Sequence, residues 1–181
     1  MSGGTLESRL EAGPLPINIV LQLGAAIADA LDNAHGSGFL HRDLKPGNVA
    51  LTTGGQPKIL DFGLAVLLAG SDTGRITEAG MVMGSLPYMS PEQLFGDAGD
   101  ARTDIYALGV MLFEMVTGER PFVKDRREAL MFAIISNAAP SVRSLRPDAP
   151  DALDRLIGRL DWRTSRRPWE MSRRHGGFSL S

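Results

Sequence analysis

The chain has 181 residues, 43% hydrophobic and 22% charged, with 21 acidic against 19 basic residues and a net charge of −2. That length suffices for one domain with a real core, and the mixture is that of a soluble globular protein. The even charge argues against nucleic acid or membrane as a general partner, and the absence of cysteine excludes disulfides and thiolate metal sites. The opening MSGGTLESRLEAGPLP lacks the apolar run of a signal peptide. No stretch approaches the ~18 apolar residues of a membrane span, so a cytoplasmic protein is expected.

Residues 5–11 predict a short helix and residues 16–35 a longer one, with Val20, Leu23, Ile27, Leu31 and Ala34 on one face and Gly36 and Gly38 as stop signals. His35, at the end of that helix, reads as a surface or capping residue. Short apolar runs at 49–51 and 57–60, split by TTGGQ, predict two small strands joined by a turn. Residues 66–100, rich in Gly, Ser, Thr and Asp, read as one long loop, a feature that is usually functional or disordered. The segment 103–118, TDIYALGVMLFEMVTG, is apolar on nearly all sides, as in the buried central helix of a domain, and Gly118 is its stop. Further helices are expected at 126–136 and 151–160. From Arg155 to Arg174 there are seven arginines and only two acids, and 161–181 reads as a divergent basic tail, solvated rather than built for nucleic acid.

A loop aspartate such as Asp43 ordinarily caps a turn or is solvated. Here Asp43 and Asn48 lie five apart across a Lys-Pro-Gly turn, and Asp61 follows the second strand and precedes Phe-Gly. An acid, a base, an amide and a second acid on neighbouring loops can hold Mg²⁺ and phosphate oxygens, because magnesium takes a few protein oxygens beside phosphate.

With HRDLKPGN at 41–48, DFG at 61–63, SPE at 90–92 and GSLPYMSPEQ at 84–93, the chain resembles the protein kinase superfamily, and within it the eukaryotic-type serine/threonine kinases of bacteria. DARTDIYALGVMLFEMVTGERPF at 100–122 is similar to the central helix of that family's large lobe. The lysine of HRDLKP implies serine or threonine, not tyrosine, as acceptor. The implied fold is α+β by family, mainly α-helical in this piece, with residues 1–160 forming the large C-terminal lobe and a small β-hairpin near 49–60. The implied ligands are ATP and Mg²⁺, and the implied partner is a protein substrate.

The resemblance also assigns roles. Asp43 would accept or orient the proton of the substrate hydroxyl, Lys45 would offset the charge of the transferred phosphate, and Asn48 and Asp61 would bind Mg²⁺. Ala50 would lie under the adenine ring, where the family places a larger apolar side chain. His41 and Phe62 would pack in an internal spine, and Asp104 would anchor the catalytic loop from the central helix. Arg42 would meet a phosphorylated residue, with Thr73 and Thr77 as candidates and Ser71 behind them. Ser85 stands where the family has a threonine that contacts Asp43 and Lys45. Glu92 would pair with Arg167, although Arg167 stands two positions late and Trp162 replaces a proline.

The family's small lobe supplies a glycine-rich loop, a strand lysine and its glutamate partner. No G-x-G-x-x-G precedes the catalytic loop here, and the GGTLESRL stretch resembles the segment just after the hinge between the lobes. The small lobe is therefore expected to be absent, and the isolated chain to be weak or inactive, since losing one preorganised donor already costs ~2.7–4 kcal/mol. Apolar residues near Leu51 and Phe62 are expected to be uncovered, inviting a dimer or a partner that supplies the missing lobe. A pseudokinase-like scaffold and a non-functional gene fragment are the rival readings; intact HRD, Asn48 and DFG argue against long-standing degeneration.

Overall fold

The computed structural model describes residues 4–61, 84–97 and 99–159. Thr5 starts helix α1 (Leu6–Leu10) by accepting a hydrogen bond from the Ser8 N–H at 3.2 Å, which satisfies one of the four orphan donors of a helix start. Helix α2 (Ile17–Gly36) follows Pro16 and buries Val20, Leu23, Ile27 and Leu31, the stripe that their three- and four-residue spacing predicts. The chain then turns at Gly38, with φ 81°, into the loop that carries His41 to Asn48.

Strands β1 (Val49–Leu51) and β2 (Pro57–Ile59) pair antiparallel, Val49 opposite Ile59 and Leu51 opposite Pro57. The segment before α1 runs along the other side of β1: Thr5 bridges Ala50, and the Leu51 N–H donates to the Gly4 carbonyl at 2.9 Å. This pairing corrects the expectation of an uncovered Leu51, which is only 9% exposed; Phe62 lies outside the described residues. The large apolar side chains that are exposed sit elsewhere and include Phe39, Phe95, Val123 and Phe132.

The expected single loop over 66–100 is also corrected in its described part. Residues 86–88 form a 3₁₀ turn, and Pro91–Leu94 form a short helix, α3. Its cause is local: Ser90 and Gln93 make a capping box, and Pro91 at the first helical position loses no hydrogen bond there.

Helix α4 (Ala101–Thr117) is the axis of the core. Asp100 caps it by accepting from the Arg102 N–H at 2.8 Å, twelve of its 17 residues are buried, and Gly118 ends it at φ 78°. Helix α2 lies against it, with Gly24 facing Leu112. Helix α5 (Arg127–Ser136) packs against α3 and the 86–88 turn, and helices α6 (Val142–Leu145) and α7 (Asp151–Arg159) pack against α4. The sequence reading had no counterpart for α6. It is held by Asp154, which accepts from the Val142 N–H at 2.8 Å and from the Ser141 hydroxyl. Arg146 fastens this end by donating to the carbonyls of Leu15 and Val116 at 2.7 and 2.9 Å. The described residues are thus mainly helical with one two-stranded sheet. Among them no helix is long and apolar enough to cross a membrane.

Candidate active site

The loop from His41 to Asn48 is built on Asp104, in the first turn of α4. The Asp104 carboxylate is fully buried and fully engaged: Oδ2 accepts from the His41 N–H at 2.9 Å, and Oδ1 from the Arg42 N–H at 2.7 Å. Oδ2 also accepts from His35 Nε2 at 2.8 Å, so His35 is not the surface or capping residue expected from its place in the sequence. The end of α2 meets the start of α4, and a buried carboxylate needs every donor within reach.

Arg42 sits at φ 64°, a left-handed conformation that costs a non-glycine residue of order 1–3 kcal/mol and persists only where its surroundings fix it. Asp104 fixes its N–H, and Gln93 Nε2 donates to its carbonyl at 2.7 Å. The Arg42 Nε is buried and has no hydrogen-bond partner among the described residues.

His41 is 1% exposed, and its Nε2 donates to the Leu60 carbonyl at 2.8 Å. That bond puts the proton on Nε2 and leaves Nδ1 to accept from the Asp43 N–H at 3.3 Å. The Leu60 N–H in turn donates to the Asn48 carbonyl at 2.8 Å. The loop with Asp43 and the strand end with Asp61 are therefore tied together twice. Asp61 itself is exposed and left-handed, at φ 59°.

On this frame four expected residues converge: Asp43, Lys45, Asn48 and Ser85. Lys45 Nζ lies 2.9 Å from Asp43 Oδ2 and donates to Ser85 Oγ at 2.6 Å. Asn48 Nδ2 donates to the Asp43 carbonyl at 2.8 Å and reaches Asp43 Oδ2 at 3.2 Å. The Asp43 side chain remains 44% exposed. Asn48 thereby has its amide nitrogen fixed, and its oxygen takes no hydrogen bond among the described residues. That oxygen and the Asp61 carboxylate are hard donors suited to magnesium. Among the described residues no three His, Asp or Glu side chains form a metal-holding group, so such an ion would need phosphate and water for most of its shell.

Ala50 lies half-buried on β1. Glu92 accepts from the buried Thr103 hydroxyl at 3.1 Å. Its expected partner Arg167, like Phe62, Ser71, Thr73, Thr77 and the tail 161–181, lies outside the described residues.

Sequence reasoning passed over several supporting residues. Gln93 carried a signal, the S-x-x-Q capping pattern of SPEQ. Tyr88 and Glu114 carried none. The Tyr88 hydroxyl donates to Glu114 Oε2 at 2.5 Å beneath the segment that holds Ser85. Burial, then the Glu114 carboxylate, push the Tyr88 hydroxyl far above the usual phenol range. Burial likewise raises Glu114, and the Tyr88 hydrogen bond partly opposes that rise.

Compared with known proteins, residues 1–168 match the protein kinase domain family. The chain is 39% identical over 175 residues to a DNA damage-responsive serine/threonine-protein kinase of Deinococcus radiodurans, an alignment covering 91% of this chain and 26% of that protein. It is 37% identical over 158 residues to the probable serine/threonine-protein kinase PknB of Lactococcus lactis, covering 87% and 25%. It is 33% identical over 158 residues to the serine/threonine-protein kinase PknL of Mycobacterium tuberculosis, covering 87% and 39%. The chain spans about a quarter of the length of the first of these relatives.

Proposed function

The chain belongs to the protein kinase family, and from that premise we propose that it carries the acceptor and metal side of a serine/threonine kinase site. One observation supports this most: Asp43, Lys45, Asn48 and Ser85 form a single hydrogen-bonded group around a half-open carboxylate.

In this reading the acceptor is a serine or threonine hydroxyl of a protein. Asp43 orients it and takes its proton as the new O–P bond forms and the β,γ-bridging P–O bond breaks, ADP leaving with the electron pair. Lys45, held by Ser85, faces the charge that gathers on the transferred phosphate. Asn48 and Asp61 would hold Mg²⁺, which supplies charge compensation to the phosphates of ATP. The buried Arg42 Nε, which has no hydrogen-bond partner among the described residues, suits a regulatory phosphate on the segment that includes Thr73 and Thr77. Residues 1–160 would be the large-lobe portion, followed by the basic tail. A chain that consumes ATP would work in the cytoplasm, where ATP is supplied.

Peptide libraries centred on serine, threonine or tyrosine, incubated with Mg-ATP and the chain, test this reading. Slow transfer to serine and threonine is expected, lost in Asp43→Asn. Transfer that prefers tyrosine, or that survives Asp43→Asn unchanged, would contradict it.

A further inference from the structure

We propose that Gln93 is a positioning residue for Asp43, and that through it the geometry of the catalytic turn depends on helix α3. The amide of Gln93 is fixed at both ends. Its Oε1 accepts from the Ser90 N–H at 3.0 Å, and its Nε2 donates to the Arg42 carbonyl at 2.7 Å. A backbone N–H can only donate and a carbonyl can only accept, so these partners allow one orientation of the amide. Ser90, at the root of this link, is fully buried.

The carbonyl that Gln93 holds belongs to the peptide joining Arg42 to Asp43. That peptide is planar, so fixing its oxygen fixes the direction of the Asp43 N–H and the start of the Asp43 side chain. Among the described residues the N–H makes only a long bond, 3.3 Å to His41 Nδ1, which cannot hold the plane alone. On the other side Asp104 holds the Arg42 N–H at 2.7 Å. Arg42, at φ 64°, is thus clamped at its N–H by α4 and at its carbonyl by α3. Release of the carbonyl would let a strained residue relax and carry Asp43 with it.

The segment 85–93 therefore reaches the site at two points. Ser85 meets Lys45, and Gln93, 51 residues from Arg42 in the chain, meets the peptide next to Asp43. A displacement of the whole segment disturbs the lysine and the aspartate together. The effect on rate rests on the phosphotransfer reading; the coupling of Gln93 to the Asp43 backbone does not.

The test uses the full chain and Gln93→Glu. At neutral pH the new carboxylate still accepts from the Ser90 N–H but cannot donate to the Arg42 carbonyl, which it faces with like polarity. NMR should find the Arg42 carbonyl carbon and Asp43 amide resonances moved, and the Asp43 amide exchanging on the order of tenfold faster than in the wild type at the same pH. The Ser90 amide should stay in place. Acidification that protonates the new carboxyl restores a donor and should return the Asp43 signals toward wild type, a reversal that general loosening does not produce. Gln93→Met keeps the length without either bond; it should move the Asp43 and Ser90 signals together, and it decides the matter if Gln93→Glu does not fold. Unmoved Asp43 signals in the folded variants, or Gln93→Glu signals that acid does not restore, would overturn the proposal. Moved Asp43 signals with no serine or threonine transfer by the wild type would leave the coupling standing and count against the phosphotransfer reading. Transfer by the wild type with unmoved Asp43 signals would do the reverse.

Discussion

Asp104 and Glu114 are two acids on one helix with opposite surroundings. Asp104 accepts from two backbone N–H groups and His35, so its charge is matched where it is buried. Asp104→Asn would set an NH₂ against at least one of those donors. It should destabilise the chain by about 2–4 kcal/mol in urea unfolding, since a hydrogen bond to a charged group contributes about 1.5–3 kcal/mol. Among the described residues Glu114 has a single hydrogen-bond donor, Tyr88, and burial raises its pKa. The folded state therefore holds the Glu114 proton more tightly than the unfolded state does. Stability falls as pH rises from the ordinary glutamate range through the raised folded value. Tyr88→Phe removes the larger of the two influences that oppose the rise, the other being the Arg120 charge. It should cost about 1–3 kcal/mol at pH 8 and clearly less at pH 4, read from denaturant midpoints at the two pH values. An equal loss at both would mean that Glu114 is not the group left unpaired. At this scale the sequence was legible only where a motif is contiguous. Asp43, Lys45 and Asn48 fall within eight residues, whereas Tyr88–Glu114, Gln93–Arg42 and His35–Asp104 are 26, 51 and 69 residues apart and leave no local period.

Elements were legible where a cap or a long apolar stripe marks them. Gly118 and the spacing of Val20 to Leu31 set helices that the sequence alone delimits to within a residue or two. Helices α3 and α6, four residues each, are too short to show a period. Only caps betray them: Ser90 with Gln93, and Ser141 with the distant Asp154. The contact of α2 with α4 depends on a residue that looks like a defect, a glycine inside a helix. A Cβ at Gly24 would lie 2.7 Å from Leu112 Cδ2, which is itself packed in the core. Gly24→Ala gains about 1 kcal/mol of helix propensity against an overpacking cost of about 1–3 kcal/mol. A net loss of about 1 kcal/mol, and a lower Tm, is expected. A higher Tm would mean that Leu112 moves aside freely.

For the whole molecule, the apolar run at 103–118 announced a buried centre, and α4 is that centre. What the sequence misjudged is the surface near β1. Leu51 is covered by the strand-like passage of Gly4 and Thr5, a pairing that those two residues alone do not signal. The same passage brings the start of the chain beside Ala50 and the proposed nucleotide floor. The proposed metal side of that floor would rest on Asn48 and Asp61, whose segments are linked by the Leu60–Asn48 and His41–Leu60 bonds and not by sequence adjacency. Calorimetric titration of the chain with ATP, with and without Mg²⁺, beside Asp61→Ala, examines this assembly directly. Binding that requires Mg²⁺ and weakens at least about tenfold in Asp61→Ala is the expected result, a loss of about 1.4 kcal/mol or more. No Mg²⁺-dependent binding at millimolar ATP, or binding indifferent to Asp61, would mean that these residues do not form a kinase half-site.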